Sequence, residues 1–409
     1  MKGIYFDLRM WKIILSKLKL APKFLTLSYK EDWNIPEIKH DNEVLVKTIN
    51  AGICGSDIHQ LKLDMSYYVS VISNSKNPSP IGHEVMGIVE KTNEKSNFQI
   101  GDRVVLNPTV HCKSYGFSPC PSCKRGNWQH CYTLVGKGDG TEREISFQPF
   151  NGQIYGGYAE YFLAFENNLY KVPENVPNHV AVLTEPFTVA LHAVMRNPPS
   201  DTDSVVVIGS GTIGLMTVAA IRALRKKSKI TVIAKYGHQG KLVKQLGADE
   251  VLLSTHDKTS LYKTIAEMHN ALLVTPLMRK PYIYGTKGPD IIYDSVATQS
   301  TAEDALHMIR SGGKIVIIGM GYSITKKVDW AVQIYKEITI TGTFLQSTGN
   351  LDGNSIDPYE FGLQYIAAHV KLFEKFVTHR FPIHEYKNAF TTLESKDKSH
   401  AIKVVFDYT

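Results

Sequence analysis

Cys54 opens the run Cys54-Gly55-Ser56-Asp57-Ile58-His59, and four more cysteines, Cys112, Cys120, Cys123 and Cys131, crowd into twenty residues. His83, in Gly82-His83-Glu84, offers an imidazole, and Glu84 or Glu185 offers a carboxylate. Three protein donors and one open position make a catalytic zinc site, whereas four thiolates close a site and leave it structural. The chain carries donor types for both. Taken singly, Cys54 reads as a small buried hydrophobe and His83 as an ordinary turn residue. Their company points to a metal.

A third chemistry lies downstream. Gly209-Ser210-Gly211-Thr212-Ile213-Gly214 follows the β-branched run Val205–Ile208 and precedes a helical pattern. In that setting Gly209 permits a tight turn, Gly211 lets backbone approach a pyrophosphate, and Gly214 lets helix and strand pack closely. The amides from Gly211 through Ile213 to Gly214 open the helix and face the phosphates. An acidic residue about twenty positions on grips the ribose hydroxyls of NAD. Here that count lands on Ala234, followed by Lys235. A cation without a carboxylate favours NADP over NAD.

The elements that must position these residues divide the 409-residue chain, which is long for one core. The first 185 residues read as β-rich and irregular, with short strands at Val44–Ile49, Gly87–Glu90, Val104–Leu106 and Tyr158–Leu163 and no long helix. From about Phe187, short apolar strands alternate with helices, as right-handed crossovers of a doubly wound parallel sheet require. Asn270–Gly288 is a long connection within that half, suited to a surface loop, an oligomer contact or a substrate-side insertion. The C-terminal stretch is mixed again and is expected to fold back onto the first domain.

Charge and composition narrow the partners. With 43% apolar and 21% charged residues the chain reads as a folded soluble protein. A net charge of +7 without an Arg/Lys stripe interleaved with aromatics gives no nucleic-acid surface. No stretch reads as a membrane span and no membrane partner is expected; Ser204–Ile221 is interrupted by glycines. No export signal is visible, so the cytoplasm is the expected compartment, where clustered cysteines bind metal in preference to forming disulfides.

Together with Gly156-Gly157-Tyr158-Ala159-Glu160-Tyr161 and Glu185-Pro186, these motifs occur in the order seen in the zinc-dependent medium-chain dehydrogenases. That family includes alcohol, sorbitol, threonine and sugar dehydrogenases. The chain resembles it from about Glu43 to the C-terminus; the first forty residues and Asn270–Gly288 fall outside the pattern. The resemblance implies an α/β fold, a Rossmann doubly wound parallel sheet plus a β-rich GroES-like catalytic domain. The expected division is a catalytic domain at 1–185, a dinucleotide-binding domain at 186–344, and a returning segment at 345–409.

It also implies roles. Cys54 and His83 would ligate a catalytic zinc, with Glu84 a direct ligand in some members and one contact removed in others. Glu185 stands where alcohol dehydrogenases carry a cysteine and sorbitol-type members a glutamate, which points away from simple alcohols. Ser56 resembles the hydroxyl that bonds the substrate oxygen, His59 the next member of a proton relay, and Asp57 the carboxylate that orients the imidazole. In the cysteine lobe, Phe117 occupies the position of the family's first ligand; Cys112 is the replacement, with His111 and His130 nearby. The expected activity is hydride transfer between NAD(P) and a secondary alcohol of a polyol, sugar or hydroxy amino acid, in a homodimer or homotetramer. Two other readings compete: a zinc-free quinone or enoyl reductase, and a non-catalytic zinc- and nucleotide-binding redox sensor or scaffold.

Overall fold

In the computed structural model, residues 1–20, 22–64, 79–135, 156–254, 257–320, 328–351 and 353–409 are described, the side chains of 79 and 80 excepted. The chain forms two compact units: Met1–Thr188 with Leu345–Thr348 and Ser355–Thr409, and Val189–Phe344 with Gly349–Asn354. Among the described residues no helix is long and apolar enough to cross a membrane.

The first unit is built on a seven-stranded, mostly antiparallel sheet. Its order is Val377–Pro382, Lys403–Asp407, Glu43–Gly52, Glu84–Lys91, Arg103–Leu106 and Leu169–Lys171, with Tyr161–Phe165 paired to the first half of Glu43–Gly52. The long strand Glu43–Gly52 is the hub. Its final residues pair with Glu84–Met86 on one side and with Val405–Asp407 on the other. This register aligns Gly52, Glu84 and Val405 across three strands whose sequence positions span most of the chain. The apolar faces close over Val44, Val46, Val85, Val89, Phe98, Val104 and Phe162. A small N-terminal sheet adds Leu27–Lys30, Gly3–Phe6 and Ser79–Pro80, and the helix Met10–Lys17 lies between its first two strands in sequence.

The second unit holds six parallel strands in the order Glu250–Leu253, Lys229–Ala234, Ser204–Ile208, Ile291–Asp294, Lys314–Ile317 and Thr339–Gly342. Numbered along the chain, that order is 3-2-1-4-5-6, the doubly wound dinucleotide-binding arrangement. The alternation of short strands and helices expected from about Phe187 is what this unit shows. Asn270–Gly288 differs from a plain connection: Leu272–Val274 and Tyr282–Tyr284 pair as an antiparallel ribbon. Three-residue strands are too short to leave a periodic signature, so the sequence pattern could not separate them from loop.

One buried cation in this unit has a measurable consequence. Lys336 is 1% exposed, and its Nζ donates to the Leu306 carbonyl at 2.8 Å. Burial pushes its pKa down to about 7. Between that value and its unfolded value the unfolded chain holds more protons, so stability rises with pH across this window. The burial cost is fully present below pH 7 and is relieved as the solvent approaches pH 10. Lys336→Met is therefore expected to be the more stable protein at pH 6, by up to roughly 3–4 kcal/mol. The gap should narrow steadily in denaturant titrations up to pH 10; a gap independent of pH would show that Lys336 is charged in the fold.

Candidate active site

Cys54 is delivered by the end of the hub strand and stands at the N-cap of the helix Gly55–Lys62. Its backbone N–H donates to Asp57 Oδ2 at 2.9 Å, so the first turn of the helix is closed by its own carboxylate. Asp57 is buried and accepts a second hydrogen bond at Oδ2, 2.6 Å from the hydroxyl of Tyr158, which also lies 3.1 Å from the Gly52 carbonyl. Asp57 Oδ1 faces His83 Nδ1 at 4.0 Å. The carboxylate, held by two donors, presents its second oxygen toward the imidazole at ion-pair distance, beyond hydrogen-bond reach.

The sheet register brings the third donor. The ligating atoms of Cys54, His83 and Glu84 all lie within 4.8 Å of one another. Glu84 is buried and ion-paired through Oε2 with Lys403 Nζ, which also donates to the Ile53 carbonyl at 2.9 Å. This pair exists because residue 52 is glycine: a Cβ there would fall 2.1 Å from Glu84 Oε2 and 3.0 Å from Lys403 Cε. Glu185, near the start of the helix Thr184–Arg196, is buried in the same unit but stands outside the 4.8 Å trio.

The electrostatics suit a divalent cation. Burial by itself would depress His83, yet the Cys54 sulfur, then Asp57 and Glu185, hold its pKa well above the ordinary value. Burial pushes the Glu185 carboxyl up to about 7; His83 opposes the shift and Glu84 adds to it. Four acidic groups (Cys54, Asp57, Glu84, Glu185) thus share one buried region with Lys403 and one imidazole. Buried acidic groups gathered in this way are stabilised by cations, a role Lys403 and the imidazole share here and a metal would extend. Sulfur, nitrogen and oxygen donors together are a zinc set.

Ser56 and His59 are three residues apart on the Gly55–Lys62 helix and so share a face. His59 Nδ1 lies 2.8 Å from Asp64 Oδ1, whose side chain is 47% exposed. Asp64, Tyr158 and Lys403 are site residues that the sequence reading missed. Tyr158 sits in a quoted motif, so it could have been weighed; Lys403 gave no local signal at all.

The four clustered cysteines converge as well. All are thiols, and their sulfurs lie within 4.8 Å of one another. Cys112 Sγ and Cys131 Sγ are 3.5 Å apart, Cys120 Sγ and Cys131 Sγ 3.9 Å. A tetrahedron with zinc–sulfur bonds of about 2.3 Å has edges of about 3.8 Å, so the spacing matches. Hydrogen bonds from the Cys123 thiol and then Thr133 Oγ1 push the Cys131 thiol down to about 4, opposing burial and favouring the thiolate a metal needs. Cys112 fills the place left by Phe117. His111 points elsewhere, bonded to Ser114 and edge-on to Trp128.

In the second unit, Gly209 has φ +96°, and a Cβ on Gly214 would fall 2.0 Å from the Gly209 carbonyl oxygen. Only glycines fit this turn. Gly211 caps the helix Thr212–Ala223, with Ile213 in its first turn. Lys235 is exposed directly beyond the strand Lys229–Ala234, its Nζ 5.3 Å from the Tyr236 ring centroid.

Comparison with known proteins identifies the family. Residues 40–174 match the alcohol dehydrogenase GroES-like domain, and residues 212–356 match the zinc-binding dehydrogenase family. The chain is 28% identical to a sorbitol dehydrogenase of Arabidopsis thaliana, over 97% of this chain and 94% of that protein. It is 27% identical to an L-threonine 3-dehydrogenase of Paraburkholderia phytofirmans, over 97% and 98%. The solved structure of an Escherichia coli alcohol dehydrogenase, RspB, with NADH shares the fold at a TM-score of 0.71 and 24% identity, covering 100% of this chain and 99% of that one. A GroES-like domain joined to a six-stranded dinucleotide-binding sheet, with a four-cysteine zinc cluster, makes this chain a member of the zinc-containing medium-chain alcohol dehydrogenase family.

Proposed function

We propose that the protein oxidises a secondary alcohol of a polyol, sugar or hydroxy amino acid, with NADP favoured over NAD. The observation that carries this reading is the convergence of Cys54 from one segment with the adjacent His83 and Glu84 from another. These three would hold the catalytic zinc, with Glu185 close enough to alter its charge, and Cys112, Cys120, Cys123 and Cys131 would hold the structural one. When bound, the catalytic zinc supplies a Lewis acid for the substrate oxygen, and the nicotinamide takes the hydride.

The chain's own residues handle the proton. Ser56 hydrogen-bonds the substrate hydroxyl, accepts its proton and passes its own toward His59. With Nδ1 donating to Asp64, the accepting nitrogen of His59 is Nε2. The half-exposed Asp64 connects that histidine to water. Asp57, braced by Tyr158, sets a negative charge beside His83. Lys403 holds Glu84 in place and keeps part of its charge neutralised. A quinone or enoyl reductase without zinc would leave this donor set unused, and a scaffold has no need of the Ser56–His59 path.

Cofactor choice follows from the end of the strand Lys229–Ala234, where Ala234 and the exposed Lys235 replace the usual carboxylate. The test is nicotinamide absorbance with NADP or NAD and a panel of polyols, sugars and amino alcohols at full zinc loading. Turnover is expected with a polyol, sugar or hydroxy amino acid, and Lys235→Asp should raise KM for NADP by about tenfold or more while improving use of NAD. No absorbance change with any substrate would discard the enzyme reading; turnover with NAD unaffected by Lys235→Asp would discard only the NADP preference.

A further inference from the structure

The helix Met10–Lys17 is turned inside out relative to an ordinary surface helix. Lys12 and Ile13 are its buried positions, Lys12 through an ion pair with Asp7 at 2.8 Å. Met10, Trp11, Ile14 and the capping Leu18 point outward, 69%, 49%, 49% and 61% exposed, and Leu20 beyond them is 72% exposed. Positions 10, 14 and 18 recur at helical spacing and Trp11 lies beside them, so they make one continuous apolar stripe. Contiguous exposed apolar surface marks a contact with another phase or partner. This segment precedes the matched residues 40–174 and contributes nothing to the zinc or nucleotide residues.

The charge around the stripe selects among occupants. From Leu8 to Lys30 there are six cations (Arg9, Lys12, Lys17, Lys19, Lys23, Lys30) and no acidic residue; Arg9 and Lys12 are ion-paired with Asp7, and Lys23 with Glu394. Arg9, Lys17 and Lys19 are exposed at the two ends of the stripe. Apolar side chains including a tryptophan, flanked by lysines on a short helix, suit the headgroup boundary of an anionic bilayer. Five side chains are few against the roughly 20–30 residues a side of a stable protein interface, but shallow insertion requires no more. We propose that the Met10–Leu20 segment docks the protein on the surface of anionic membranes, with Met10, Trp11, Ile14, Leu18 and Leu20 entering the interface and Lys17 and Lys19 facing the headgroups. A surface helix is not a span, so the absence of a spanning helix does not oppose this.

The test is co-sedimentation of the full chain with phosphatidylserine-containing vesicles and with pure phosphatidylcholine vesicles, together with tryptophan emission. Binding to the anionic vesicles is expected to be at least about tenfold tighter, with a blue shift that Trp11→Phe removes. Ile14→Glu with Leu18→Glu, at exposed positions, should lose that binding by about tenfold or more and leave Tm and turnover unchanged. No association with anionic vesicles at physiological ionic strength would overturn the proposal. So would association that survives the double substitution. A chain that ignores vesicles but dissociates from dimer to monomer on that substitution, by light scattering, would show that a second copy covers the stripe instead.

Discussion

Cys54→Ser is expected to lower kcat/KM by roughly a thousandfold or more, about 4 kcal/mol of lost transition-state stabilisation, while the affinity for the nucleotide changes by less than about twofold. The separation of effects follows from where the two sites are built. Cys54 belongs to a trio assembled by the Glu43–Gly52 and Glu84–Lys91 strands of one compact unit. The Gly209–Gly214 turn belongs to the parallel sheet of the other. A serine hydroxyl preserves the size of the side chain but is a poor anion and a weak zinc ligand, so the metal loses its only sulfur donor in that trio. Initial rates, NADPH fluorescence titration and a zinc count per chain check the three parts together. The zinc content should fall by one per chain. Turnover within tenfold of wild type would remove Cys54 from the chemistry, and lost nucleotide binding would contradict two separately built sites.

How much of this was legible depends on the range of each interaction. Local signals carried far. The strand-turn-helix around Gly209 needs only neighbours, and the short alternating strands and helices from Val205 to Thr343 carry their own periodicity. The Cys54–His59 run is likewise local, because Asp57 closes the helix turn that Cys54 begins. Cys112 was suggested by the family resemblance, with Phe117 at the position of the family's first cysteine, and His111 and His130 stayed open as alternatives. What stayed hidden is set by register across distant strands. Lys403 meets Glu84 only because Lys403–Asp407 and Glu84–Lys91 flank the same hub strand. Tyr158 reaches Asp57 across 101 residues. Neither pairing has any signature in the residues adjacent to it.

The Met10–Lys17 helix escaped for a different reason. Its apolar residues have helical spacing, but the stripe faces outward while Lys12 is buried. A reading that assigns apolar residues to the core cannot place such a segment. The same inversion makes it the best candidate for contact with something outside the chain. The Glu84–Glu185 ambiguity is a further case: both carboxylates are buried near His83, and only coordinates distinguish the one grouped with the sulfur and imidazole from the one beyond.

The cysteine lobe should fail in the opposite manner to Cys54. From Cys112 to Val135 the backbone offers only short turns of helix: Cys112–Tyr115, Pro121–Lys124, Trp128–His130 and Tyr132–Val135. Such pieces bring little cooperativity of their own, and the apolar contacts beneath them, Leu45, Val110, Leu134, Leu163 and Phe165, are largely shared with the sheet. Four thiolates on one ion would therefore supply most of the lobe's order, and metal-binding free energy would appear as folding free energy. Cys120→Ser combined with Cys123→Ser is expected to cost about 3–5 kcal/mol, a fall in Tm of about 10 °C, while kcat of the surviving folded protein drops far less than in Cys54→Ser. A chelator strong enough to empty the cluster should lower the wild-type Tm similarly and have little further effect on the variant's. The zinc count again supplies the control. A destabilised variant that retains its full metal content would indicate a packing defect, and a double variant with wild-type Tm would show that the lobe is held by its side chains alone.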